Sequence, residues 1–446
     1  MNPRWMFASL IGLAFAGSAV AAEPRKPNVI VLLSDDVGYG EFGFQGGKDI
    51  PTPNIDSIAK NGVRFTSGYV AATYCSPCRA GLLTGKYPTR FGHEWNEGPP
   101  ATPGTEFGLP LDQITIAQRL KAQGYSTYCV GKWHLGKGPK YIATARGFDE
   151  FYGTVANTPY LKPPNFIDTR KSNDVTPVKD EDFYTTDAYA DRAVDIIGKN
   201  KDTPFFLYLP FNAQHAPLQA PKKYLDRFPD IKDEKRQLFA AMMSGMDDAV
   251  GRVLAKVKEI GQEENTLIVF FSDNGGPTVQ TTSKNGPLRG FKATTLEGGT
   301  RVPFCMQWKG KIKPGSTFDH PIQNLDILPT ALVAAGGKVD PEWKLDGVDL
   351  MPYLTGANPA APHEALYWRF GEQWAIRKGD YKLCVNRIDG VKTAPGLYNL
   401  KEDIGEAKNL ASAMPDKVKE LQADWDKWSA AQMKPLWVPV PAKKKN

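Results

Sequence analysis

The sequence is poor in the residues that most often announce a site. It holds only five cysteines and five histidines in 446 residues, too few for a disulfide scaffold or a multi-zinc protein. Beyond the extreme N-terminal segment it has no apolar run of the ~20 residues that a bilayer crossing needs. Neither charge sign dominates. Lys and Arg number 55 against 49 Asp and Glu, a formal charge of +6 that is spread along the chain except for Lys443, Lys444 and Lys445. Such a diffuse excess is no nucleic-acid footprint and at most favours anionic substrates. Internal repeats and low-complexity tracts are missing too. What is present, 41% hydrophobic and 23% charged residues, suits a large core under a wet surface and excludes wholesale disorder. At about 150 residues per domain, the length fits roughly three domains, or one large domain and a smaller one.

Residues 1–22 read as an export signal. Arg4 supplies the positive end, residues 7–15 the apolar run, and Ala19-Val20-Ala21 or the next frame a small-residue cleavage site. The mature chain would begin near Ala22 or Glu23, without a membrane anchor, in the periplasm or outside the cell. Export leaves Cys75, Cys78, Cys129, Cys305 and Cys384 in a compartment that usually oxidises thiols. The number is odd, so at least one cysteine is free, paired between chains, or chemically consumed.

Four apolar runs end in polar chemistry. Residues 29–33 lead into Ser34-Asp35-Asp36, and residues 267–271 into Ser272-Asp273-Asn274-Gly275-Gly276. Residues 126–130 deliver Lys132 and His134 after Gly131, and residues 205–211 run out into Asn212 and His215. Such unbroken runs fit strands buried on both faces. Helical patterns at 111–122, 186–199 and 237–260 alternate with them, which predicts an α/β fold: a large, mostly parallel sheet wrapped by helices, with ligands beyond the carboxyl ends of its strands. After about residue 360 the texture changes to short strands at 365–370, 374–377, 381–385 and 397–400 and a helix at 416–429. These predict a small antiparallel sheet with one helix. The expected organisation is therefore a signal at 1–22, a catalytic domain at 23–360 and a C-terminal α+β domain at 361–446. Residues 154–182 read as a long irregular insertion at a substrate rim.

Asp35, Asp36, Asp273 and Asn274 offer only oxygen, the donor set of a hard divalent cation, with Ca2+ the first choice and Mg2+ the second. The stretch Cys75-Ser76-Pro77-Cys78-Arg79 predicts a helix opening that sets Cys75 at a positive helix end, where an anionic centre is stabilised. Cys75 and Cys78 also form a Cys-x-x-Cys pair, either a thiol-disulfide centre or half of a zinc site, although no second close pair exists to complete the latter. Gly38-Tyr39-Gly40-Glu41-Phe42-Gly43 spells a dinucleotide fingerprint. It fails because Asp35 and Asp36 would repel a pyrophosphate and the glycines and prolines of 46–53 deny the following helix.

In these residues the chain resembles the formylglycine-dependent sulfatases of the alkaline-phosphatase superfamily. Cys75, Pro77, Arg79, Thr84 and Gly85 match that family's signature. Asp35-Asp36, the Gly131 to Gly136 block, His215, Asp273-Asn274, Lys292 and Glu297-Gly298-Gly299 with Arg301 follow in order. Cys78 departs from it, since serine is usual there, and it admits a competing bond to Cys75. The resemblance implies that a formylglycine-generating enzyme converts Cys75 to an aldehyde whose hydrate attacks sulfur. It further implies Asp35, Asp36, residue 75, Asp273 and Asn274 around the metal, Arg79 supporting the nucleophile, and Lys132 and Lys292 on sulfate oxygens. His215 would protonate the leaving alcohol and His134 would accept the proton that lets sulfate depart. His93, in the loop past the signature, is a further expected substrate contact.

The function implied is hydrolysis of sulfate monoesters, on a sulfated carbohydrate. A phosphodiester or phosphonate monoester hydrolase of the same fold, or an inactive glycan-binding homologue, is the alternative.

Overall fold

The computed structural model describes residues 25–96, 107–388 and 390–438, so the expected signal at 1–22 lies outside the described residues. Its centre is a parallel run of β1 (Asn28–Ser34), β2 (Ser126–Lys132), β3 (Glu150–Thr154), β4 (Phe205–Pro210) and β5 (Thr266–Ser272). Across the sheet their order is β5-β1-β4-β2-β3, every pairing parallel. Antiparallel strands flank the run. Phe304–Gln307 pairs with β5 and with Val63–Phe65, and on the far side Phe166–Asp168 pairs with β3 and with Ser172–Thr176.

Strand alternation feeds two cores. Val29, Val31 and Leu33 face one hydrophobic cluster with Leu267, Val269 and Phe271, while Ile30 and Leu32 face the other with Ile268 and Phe270. Both faces are covered, which is why these strands read as unbroken apolar runs. The first cluster is closed by α1 (Cys75–Thr84), the second by α2 (Thr185–Lys199) and α3 (Glu234–Glu259). Each fully buried Leu, Ile, Val or Phe contributes about 1.5–3 kcal/mol. A polar substitution on either face of β1 would therefore open a core rather than a surface.

Beyond this sheet lie four antiparallel strands, β6 (Ala365–Phe370), β7 (Gln373–Lys378), β8 (Tyr381–Val385) and β9 (Gly396–Asn399), covered by the helix α4 (Pro415–Ala430). Their alternation packs Leu366 and Trp368 toward Tyr69 and Leu296 of the large sheet's loops, and Trp374 and Ile376 toward Leu421 of α4.

Two local expectations are corrected. The helix expected from residue 111 begins at Ile116, because Thr115 caps it: Gln118 N–H donates to Thr115 Oγ1 at 3.2 Å and Thr115 N–H to Gln118 Oε1 at 2.9 Å. The insertion at 154–182 is not irregular throughout. It carries the hairpin Phe166–Asp168 and Ser172–Thr176, turned by Asp168, whose carbonyl and carboxylate accept the Lys171 and Arg170 N–H groups.

Candidate active site

The register of two strands builds the site. Ser34 of β1 lies directly beside Ser272 of β5, so the residues that follow each strand emerge side by side. Asp36 N–H donates to Asp273 Oδ1 at 3.2 Å, and Asn274 Nδ2 donates to Asp36 Oδ1 at 2.7 Å. Asp36 adopts φ +65°, a left-handed conformation that Asp tolerates better than most residues and that turns the chain at the strand end. Asp35, Asp36, Asp273 and Asn274 are all fully buried.

The helix α1 brings the nucleophile candidate to this point. It is wholly buried and ends at Gly85, whose φ of +67° lets its N–H close on Gly81 O at 2.8 Å. Cys75 and Arg79 stand four apart on one helix face. Cys75 Sγ lies 3.4 Å from Asp35 Oδ1 and 3.9 Å from Asp36 Oδ1. Arg79 donates from Nη2 to Asp273 Oδ2 at 2.7 Å and to Asp35 Oδ2 at 3.1 Å, from Nε to Asp273 Oδ2 at 3.1 Å, and from Nη1 to Lys132 O at 2.8 Å. One guanidinium thus holds the helix, two strand ends and the Lys132 backbone together.

Strand β2 delivers Lys132 and His134. Gly131 makes this possible: at φ +136° a Cβ would stand 1.9 Å from Pro210 O of β4. Lys132 is fully buried and its Nζ donates to Asp35 Oδ2. His134, at φ +55°, is buried, and its Nδ1 has no hydrogen-bond partner among the described residues. After β4, His215 Nε2 stands 3.5 Å from Asp36 Oδ2 while its Nδ1 lies 2.6 Å from Ala216 O. That carbonyl can only accept, so Nδ1 carries a proton and Nε2 is the titrating nitrogen. From another loop, Lys292 Nζ reaches Asp36 Oδ1 at 2.7 Å and Cys75 Sγ at 3.4 Å.

Opposed charges fill a closed space. Burial raises the Asp35 carboxyl, yet Lys132 and Arg79 hold it well below the usual carboxylate range. Burial and the Asp35 charge push Asp273 up against the pull of Arg79. Burial and the same acids push the Cys75 thiol well above its ordinary value. Cys78 shifts the same way, chiefly through burial. The shift keeps both as thiols, the opposite of the depressed value that activates a nucleophilic cysteine. All five cysteines are buried and free, and Cys78 Sγ accepts from Asn324 Nδ2 at 3.3 Å.

The donor set fits a hard cation. Among the described residues, ligating atoms of Asp35, Asp36, Cys75 and His215 lie within 4.8 Å of one another. Beside them Asn274 Oδ1 is buried with no hydrogen-bond partner among the described residues. Buried polar atoms are rarely left unpaired, and a carboxamide oxygen among carboxylates is what Ca2+ or Mg2+ takes.

The structure therefore gathers Asp35, Asp36, Cys75, Arg79, Lys132, His215, Asp273, Asn274 and Lys292 into one contact network. His93 stands elsewhere than a substrate contact would: it has no exposed surface, its Nε2 is 2.6 Å from Ser76 Oγ, and Trp437 packs edge-on to its ring. Burial lowers it to about 3. Sequence reasoning missed Asn157, whose exposed carboxamide lies 3.1 Å from His215 Nε2. It also missed Gln373 and Asn386 of the small sheet, which grip the Lys292 loop: Gln373 Nε2 donates to Ala293 O at 2.9 Å, and Thr295 N–H to Asn386 Oδ1 at 3.0 Å. No pattern marks an amide that acts from a distant strand.

Comparison with known proteins agrees with the geometry. Residues 27–337 match the family model Sulfatase, and residues 291–430 match that of the N-sulphoglucosamine sulphohydrolase C-terminal region. An uncharacterised sulfatase of Escherichia coli, YdeN, is 32% identical over 89% of this chain and 84% of its own length. Arylsulfatase A of Homo sapiens is 33% identical over 93% of this chain and 89% of its own. Among solved structures, Ps i-CgsB in complex with k-i-k-neocarrahexaose superposes with a TM-score of 0.84 at 34% identity, covering 94% of this chain and 96% of that one.

Proposed function

Since the chain belongs to the sulfatase family and hydrolyses sulfate esters, we propose that its substrate is a sulfated carbohydrate and that its nucleophile is formylglycine made from Cys75. The substrate class rests on the likeness to Ps i-CgsB with its bound neocarrahexaose. The nucleophile rests on one observation: Cys75 Sγ is the atom on which two carboxylates and the Lys292 ammonium converge, at 3.4, 3.9 and 3.4 Å. That sulfur stands in for the attacking oxygen.

Formylglycine supplies, as its hydrate, an oxygen nucleophile and a second hydroxyl through which sulfate leaves without external water, and a bound cation supplies positive charge for both. Asp35, Asp36, Asp273 and Asn274 would hold that cation, Ca2+ ahead of Mg2+. Arg79 holds Asp35 and Asp273 in register and opposes the rise that burial imposes on both. Lys292, with its side chain 11% exposed, is the cation open to a sulfate oxygen. Lys132 is more deeply committed to Asp35 and reaches sulfate beside it. His215 gives its Nε2 proton to the departing alcohol as the sulfur–oxygen bond breaks. His134, with an unpaired Nδ1, takes the proton released as sulfate is expelled. The enzyme works after export, directed by residues 1–22 and matured by a formylglycine-generating enzyme, as a catalytic unit of 23–360 with a C-terminal unit of 361–446.

Mass spectrometry of the tryptic peptide containing Cys75, with sulfate and phosphate esters assayed side by side, tests this reading. Formylglycine at position 75 and preference for sulfate are expected. An intact thiol in active enzyme would overturn the nucleophile, and a phosphate preference of several orders of magnitude the reaction class. A panel of sulfated oligosaccharides then tests the substrate class, and turnover of none of them would remove it.

A further inference from the structure

The segment 432–437 lies along the loop that follows α1. Met433 N–H donates to Thr89 O at 3.0 Å, Leu436 N–H to Gly92 O at 2.9 Å, and Thr89 Oγ1 to Gln432 Oε1 at 3.0 Å. Gly92 permits the approach: it sits at φ +70°, and a Cβ there would stand 2.8 Å from Lys434 O. The contacts carry Trp437, 8% exposed, into the loop 93–96. Its indole Nε1–H reaches Trp95 O at 3.2 Å and Asn96 O at 3.1 Å, and its ring lies edge-on to His93 with centroids 4.7 Å apart.

His93 and Asn96 are the residues that grip Ser76. Asn96 Oδ1 accepts the Ser76 N–H at 2.9 Å, and His93 Nε2 lies 2.6 Å from Ser76 Oγ. The grip matters because the first N–H groups of a helix have no intrahelical acceptor. The residue before α1 is Tyr74, whose side chain makes no capping bond. Asn96 supplies from another loop the acceptor that a capping Ser, Thr or Asp would have given. The Ser76 N–H belongs to the peptide plane that joins it to Cys75, so its direction fixes how residue 75 projects toward Asp35, Asp36 and Lys292.

We propose that Trp437 is a positioning residue for the nucleophile: through His93 and Asn96 it fixes Ser76 and with it the orientation of residue 75. The proposal rests on the reading of residue 75 as the attacking group. A displacement of about 1 Å at a reacting atom can cost 10²-fold in rate, and none of Trp437, His93 and Asn96 is among the residues assigned above to sulfate or the leaving group. The effect should fall on kcat and spare KM.

The test uses Trp437→Ala, Trp437→Phe and Asn96→Ala in the full chain, with kcat and KM on 4-nitrocatechol sulfate and formylglycine content by mass spectrometry. Trp437→Ala should lower kcat by about tenfold or more, with KM within about twofold and formylglycine content unchanged. Trp437→Phe keeps the ring against His93 but loses the N–H, and should recover part of that kcat. Asn96→Ala should repeat the kcat loss. Normal kcat in Trp437→Ala, or a raised KM at constant kcat, overturns the proposal. Should that variant not fold, normal kcat in both Trp437→Phe and Asn96→Ala overturns it equally. Cys75→Ala run in parallel separates the two claims. Turnover retained there removes the nucleophile reading, whereas a dead Cys75→Ala beside a fully active Trp437→Ala removes only the positioning role.

Discussion

Lys292 Nζ stands 3.4 Å from Cys75 Sγ across 217 positions of sequence. The same ammonium bonds Asp36, and burial, which would lower it, is outweighed by the Asp36 carboxylate with Asp35 behind it, so it stays protonated. A fixed positive charge beside the attacking atom stabilises negative charge as it develops in the transition state. Cys75→Ala is therefore expected to lower kcat at least about 10³-fold, and Lys292→Ala about 10²–10³-fold, both measured as steady-state turnover of an aryl sulfate.

His215 is the proposed acid for the leaving group. Its proton is needed on Nε2, and burial lowers its pKa below 6.5 despite the Asp36 charge. The sign follows: kcat/KM should be greatest where His215 is protonated and fall as pH rises through that depressed value. His215→Ala should remove this limb. It should cost about 10²–10⁴-fold on a sugar sulfate but far less on 4-nitrophenyl sulfate, whose leaving group needs little protonation. Equal losses on the two substrates would refute the assignment.

The unpaired Asn274 Oδ1 makes the cation testable without turnover. Prolonged chelation should lower the thermal midpoint and abolish activity, with Ca2+ restoring both. Asn274→Leu should weaken Ca2+ binding about tenfold or more, read by calorimetry.

A second histidine acts on stability alone. His363 Nε2 lies 2.8 and 3.0 Å from the two oxygens of Asp326, which also accept the Gln323 and Val348 N–H groups. Burial lowers its pKa, but the Asp326 charge and hydrogen bond raise it further, to a net value above 6.5. A value raised in the folded state gives stability that is complete below about pH 6.5 and is lost as pH rises through the folded value. The difference in thermal midpoint between the wild type and His363→Gln should thus be largest in mild acid and shrink in mild alkali.

Lys382 joins the two sheets. It is fully buried, and its Nζ donates to Glu297 Oε1 at 2.8 Å and stands 3.1 Å from Glu406 Oε1. Glu297 in turn accepts from Tyr69 OH at 2.6 Å. Lys382→Met would leave two buried carboxylates facing one another, at a cost of about 3–5 kcal/mol in urea unfolding. Lys382→Met with Glu406→Gln should recover part of it.

Much of this was legible before folding. Val29, Val31 and Leu33, or Leu267, Val269 and Phe271, announce buried strands because a strand covered on both faces has no place for a polar residue. The Asp35-Asp36 and Asp273-Asn274 pairs, the Cys75 signature, and Lys132, His134 and His215 at or just past their strands were readable for the same reason: each sits beside a strong local pattern. Thr115 was less plain, since a cap differs from a turn only by where its oxygen points, and so was the hairpin hidden between the prolines of the 154–182 segment. His93 misled. Its loop lies next to the signature in sequence, but whether a histidine meets substrate or Ser76 depends on what covers it, and Trp437 arrives from 344 positions away.

The sequence by itself determined which chemistry the chain could hold: oxygen donors suited to a hard cation, a cysteine at a helix opening within the sulfatase signature, and an alternation of strand and helix that predicts a wrapped sheet. Tertiary structure alone decided that Ser34 lines up with Ser272, that the loop carrying Lys292 is held by Gln373 and Asn386, and that Ser76 is gripped by a loop which Trp437 secures. Local pattern records what each segment tends to form. Register and long-range packing depend on how distant surfaces fit together, and no stretch of sequence carries that fit on its own.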